Sequence, residues 1–85
     1  MGNIDKLIER LKSEPKDFTW KELKRIMTHL GYGELSHGKT SGSRVKFHNK
    51  ELNSLINLHR PHNPEILKPY QLEYILEKLS EVGII

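Results

Sequence analysis

The chain contains no cysteine. That excludes disulfide staples and thiolate metal sites, and leaves apolar burial as the means of holding the fold together. With 85 residues there is one modest core, since a domain of this size buries only about 60% of the surface its unfolded chain exposes. Long hydrophobic runs are also missing. Nothing approaches the ~20 apolar residues of a membrane span, and the N-terminal segment is amphipathic, without the apolar stretch of a signal peptide. The expectation is one soluble, unprocessed, cytoplasmic domain over residues 1–85.

Several chemical signatures are absent too. The Gly38–Gly42 turn has neither the spacing nor the following helix of a phosphate loop, and no dinucleotide or nucleophile-elbow motif occurs. Glu34 and Glu51 are isolated and the other acids fall on helical patterns, so no carboxylate pair suggests itself. Of the five histidines only His59 and His62 are closely spaced; Pro61 separates them and no third ligand follows at a useful interval. Neither a metal nor a small-molecule cofactor is expected.

What is present is unevenly distributed positive charge. The net charge is only +3, yet between His37 and Arg60 five cations (Lys39, Arg44, Lys46, Lys50, Arg60) face one anion, Glu51, with His37, His48 and His59 interspersed. A basic middle third in a chain otherwise close to neutral is the footprint of a surface that meets phosphates, or of a plain solvated face.

The periodicity gives the elements. Ile4, Leu7, Ile8 and Leu11 repeat at helical spacing until Pro15. Thr19 with Glu22 forms a capping box for a second helix carrying Leu23, Ile26, Met27 and Leu30, stopped by Gly31. The period then changes to alternation, which predicts strands over Tyr32–His37, Ser43–His48 and Leu55–His59, with a turn over Asn49–Asn53. Val45, Phe47, Ile56 and Leu58 share one face; Arg44, Lys46, His48, Asn57 and His59 share the other. The segment Arg60–Pro64 reads as an extended loop, and Lys68-Pro69 opens a last helix with Leu72, Ile75, Leu76 and Leu79 inward. The fold class is α+β: two helices, a three-stranded antiparallel sheet and a final helix, with the helices on one face of the sheet.

A basic strand face bearing imidazoles suits RNA cleavage without a metal. A base takes the ribose 2′-hydroxyl proton, cations hold the phosphate, and an acid protonates the leaving oxygen. Histidine is the side chain that titrates near neutrality without special tuning. His48 and His59 are the candidates for proton transfer, set against the plainer reading of each as a partly exposed, hydrogen-bonded surface histidine.

The order of short motifs resembles one family. Thr19-Trp20-Lys21-Glu22-Leu23 and Leu30-Gly31-Tyr32 are followed by Gly42-Ser43-Arg44-Val45-Lys46-Phe47, then Leu58-His59-Arg60-Pro61-His62 and Leu67-Lys68-Pro69-Tyr70-Gln71-Leu72. The set looks like the HicA toxins of HicA/HicB toxin–antitoxin systems over residues 18–83, with residues 1–14 as an added N-terminal helix. The resemblance implies a double-stranded-RNA-binding-domain-like fold, metal-independent mRNA interferase activity, and a HicB-like antitoxin as partner, for which the basic face offers complementary charge. It also exposes a departure. The family's Gly-Ser-His signature reads Gly42-Ser43-Arg44 here. Arginine cannot serve as a general base near neutral pH, although it binds phosphate and stabilises a pentacoordinate transition state. The expected RNA contacts are therefore Lys39, Ser43, Arg44, Lys46, Arg60 and Lys68, with His48 or His59 as the proton-transfer group. The alternative is a non-catalytic module that binds RNA or an antitoxin and has lost cleavage with the histidine.

Overall fold

A computed structural model describes residues 3–35 and 44–85 of the chain. Helix α1 (Asn3–Lys12) ends just before Glu14, which takes a left-handed φ of 50°, and Pro15. Arg10, on its last turn, clips it to the next element. The guanidinium donates to Glu22 Oε2 at 3.1 Å and to Asp17 Oδ1 at 3.0 Å, and lies over the Phe18 ring.

Helix α2 (Trp20–His29) starts at the expected capping box: Thr19 Oγ1 accepts from the Glu22 N–H and Glu22 Oε1 accepts from the Thr19 N–H. Trp20, Leu23, Ile26 and Met27 face the core. Gly31 closes the helix at φ 95°, where a side chain would be strained and a Cβ would meet the Asn49 amide at 3.2 Å.

Strands β1 (Gly33–Leu35), β2 (Arg44–Asn49) and β3 (Ser54–His59) form an antiparallel sheet in the order β1-β2-β3. The first strand begins one residue later than its sequence pattern suggests, because the Tyr32 N–H is spent on the Met27 carbonyl at the end of α2. Its expected last two residues, Ser36 and His37, lie outside the described residues, as does the Gly38–Gly42 turn. The hairpin between β2 and β3 is tighter than expected. Asn49 and Ser54 pair as its last rung, and both are buried.

Helix α3 (Pro69–Glu81) buries Leu72, Ile75 and Leu79. Phe47, Ile56 and Leu58 are buried against the helices with Val45 half-buried beside them, and the Phe47 and Trp20 ring centroids stand 5.7 Å apart. The strand alternation thus resolves as its period demands: an apolar side under three helices, and an opposite side left open. The arrangement is compatible with a double-stranded-RNA-binding-domain-like fold. Among the described residues, no helix is long and apolar enough to cross a membrane.

Candidate functional site

The open side of the sheet carries Arg44, Lys46 and His48 on β2, and register decides what stands beside each. Arg44 lies opposite His59; Lys46 lies between Asn57 on β3 and Leu35 on β1; His48 lies between Leu55 and Gly33. The Asn57 N–H points away from β2 to the Tyr74 hydroxyl at 3.3 Å. Lys46–Asn57 and, two residues along, Arg44–His59 are accordingly non-hydrogen-bonded pairs, in which Cα atoms approach to about 4.5 Å and side chains are closest.

This geometry separates the two candidate histidines. His48 is four residues from Arg44, about 13 Å along the strand, and it is half-buried. His59 is exposed directly across from Arg44. The strand position of Arg44 is thus beside that of His59 and well removed from that of His48.

The end of β3 is fastened by a residue that sequence reasoning passed over. Gln71 is buried, donates from Nε2 to the His59 carbonyl at 2.9 Å, and accepts the Lys68 N–H on Oε1 at 2.9 Å. Its place three residues after the residue preceding the helix is the spacing of a capping residue, which is the signal that marks it in the sequence. It ties the start of α3 to the backbone of His59, and Lys68 stands exposed at that junction.

The remaining expected contacts divide. Arg60 is occupied: its Nε donates to Glu65 Oε2 at 2.6 Å, its guanidinium lies 6.0 Å from the centre of the Trp20 ring, and the bond to Glu65 raises its already high pKa. Its charge is matched locally, as part of the loop that leads from β3 back to Trp20. Lys39 and Ser43 lie outside the described residues. Among the described residues, no three histidine, aspartate or glutamate side chains come together as a metal-ligand group.

Two clefts meet along β3. One, of about 330 Å³, is lined by Arg44, Lys46, Asn57, Leu58 and His59. The other, of about 300 Å³, shares Asn57, Leu58 and His59 and is completed by Tyr70, Gln71 and Tyr74 of α3. A third groove of about 560 Å³ lies against α1 and α2 and is lined by Ile4, Lys21, Lys24, Arg25, Thr28 and His29. It too is cationic, with Lys24 bonded to Glu34 at 2.9 Å. Charge alone therefore does not distinguish the two sides of the molecule. The sheet side differs in placing an imidazole directly opposite an arginine.

A family model described as the HicA toxin of bacterial toxin–antitoxin matches residues 20–80. The chain belongs to the HicA toxin family. Comparison with curated proteins and with solved structures found no match. The HicA match begins at Trp20, leaving α1 outside it, and takes in α2, the three strands and α3 as far as Ser80. Membership makes this a toxin-type chain of a toxin–antitoxin pairing. Arg44, which the sequence resemblance sets against the histidine of the family's Gly-Ser-His signature, is the first residue of β2.

Proposed function

We propose that the chain is an RNA-cleaving toxin of the metal-independent mRNA interferase kind, acting at the open sheet face and masked by a HicB-like antitoxin. The observation that carries this reading is the cross-strand pair Arg44–His59. Arg44 supplies fixed positive charge for a phosphate and for the charge that grows on it in the transition state. His59, in its neutral form, takes the 2′-hydroxyl proton. The 2′-oxygen then attacks phosphorus, the bond to the 5′-oxygen breaks, and that oxygen takes a proton from the solvent that reaches this exposed face. The products are a 2′,3′-cyclic phosphate and a 5′-hydroxyl end. Lys46, next on the same strand face, adds positive charge along the phosphate path, and Lys68 adds it near the start of α3. On this reading the proton-transfer role has moved across the ladder from the β2 position to its β3 neighbour.

The alanine series tests the assignment. His59→Ala should lower cleavage by ~10² to 10⁴-fold with RNA affinity held within a few-fold, Arg44→Ala should weaken binding and cleavage together, and His48→Ala should leave the rate nearly unchanged. A large loss at His48 with none at His59 overturns the pairing. A second reading, a binding module without cleavage, is favoured by the resemblance, which sets Arg44 at the position of the family's histidine. It gains ground if native protein is inert and Arg44→His creates activity.

A further inference from the structure

The cleft between β3 and α3 shares His59 with the proton transfer described above, while its α3 wall has no part in that step. Its outer wall is Tyr70, which is 64% exposed although it is a large aromatic residue on the first turn of a helix. Tyr74, one helical turn on, is half-buried, with its hydroxyl accepting the Asn57 N–H. Gln71 has both ends of its amide engaged, by the His59 carbonyl and the Lys68 N–H, so the cleft's inner surface is held rather than yielding. The about 300 Å³ of this cleft is at the small end of the range that takes small-molecule groups.

The neighbouring cleft is the cationic one, and the strip Asn57–His59 belongs to both. A phosphate site and an aromatic-walled site side by side match the two ends of one nucleotide. We propose that the β3–α3 cleft is a nucleobase subsite, in which Tyr70 stacks on the base attached next to the phosphate held by Arg44 and Lys46, while the exposed Asn57 amide meets the base edge. The proposal rests on the RNA-acting reading and narrows its substrate. A base can enter the cleft only when it is free of duplex stacking, so the chain selects single-stranded RNA.

The test uses a 2′-fluoro RNA hexamer, which lacks the attacking hydroxyl, and the same backbone with abasic sugars, titrated against the full chain at low and high salt. Native protein should prefer the base-bearing oligomer by about 5- to 150-fold, the range of a single base–aromatic stack. Tyr70→Ala should erase that preference and leave binding of the abasic backbone unchanged, while Tyr70→Phe should retain it, since stacking uses the ring and not the hydroxyl. Salt-sensitive RNA binding with the preference intact in Tyr70→Ala overturns the subsite and leaves the RNA reading standing. So does a Tyr70→Phe variant that loses as much as Tyr70→Ala. Loss of antitoxin binding in Tyr70→Ala, with base preference kept, assigns the cleft to a protein partner instead. Native protein that binds neither oligomer overturns both the subsite and the RNA reading.

Discussion

Arg44 and His59 illustrate how little of a site is written in any one residue. Each is an ordinary exposed polar side chain on its own strand, and what makes them a pair is that β2 and β3 meet in the register that puts one directly opposite the other. Asn49 shows the same dependence in a structural role. In sequence it reads as the first residue of a turn, whereas in the fold it is the buried end of β2, donating from Nδ2 to the Leu30 carbonyl at 3.0 Å and accepting the Leu52 N–H on Oδ1 at 3.1 Å. It supplies a partner to a carbonyl at the C-terminus of α2, which the helix itself cannot satisfy, and it fixes the hairpin at the same time. Asn49→Ala should cost about 1 to 3 kcal/mol of stability, because it strands that carbonyl. Equilibrium urea unfolding measures this, and an unchanged midpoint would show that the Asn49 bonds are replaced by water.

At the level of elements, the periodic parts were legible in advance because periodicity is local. The α2 stripe and its capping box, and the two faces of β2 and β3, follow from spacings of 3.6 and 2 within a few residues. The position of Tyr32 did not follow, since its N–H is claimed by the carbonyl of Met27 behind it rather than by a strand partner. Nor did the separation of His48 from His59 relative to Arg44, which is a property of strand pairing and not of composition. The capping box has a pH consequence. Burial acts to raise the Glu22 pKa, but hydrogen bonds from the Thr19 backbone, from Arg10 and from the Thr19 hydroxyl outweigh it, and the net shift is downward from 4.5. A depressed folded pKa contributes stability that is present above the unfolded value and is lost as pH falls through the folded one. Glu22→Gln should therefore be less stable than native protein at pH 7, by less than about 2 kcal/mol for so exposed a pair. The difference should shrink as the pH drops below 4.5. Urea midpoints at neutral and acid pH check the sign; a deficit that persisted in acid would assign the effect to packing.

Across the whole molecule, three helices cover one side of a small sheet and leave the other side open. The added helix α1 is fastened through Arg10 to Asp17 and Glu22, on the covered side and away from the open face. It enlarges the core, with Leu11 fully buried, and none of its residues lines the two clefts along β3. The basic middle third of the sequence maps only in part to that site: Arg44 and Lys46 lie on the open face, while Arg60 is turned to Glu65 and Trp20. Counting cations could not reveal this, because Arg60 is distinguished from Arg44 only by its neighbours in space. On the proposed function, the open face cuts RNA without a metal, with Arg44 at the position that the resemblance gives to the HicA histidine. The direct measurement is incubation of purified native protein with single-stranded RNA in excess EDTA, followed by analysis of the product ends. The expected result is cleavage yielding 2′,3′-cyclic phosphate and 5′-hydroxyl termini; intact RNA under conditions in which the protein demonstrably binds it would overturn the cleavage reading.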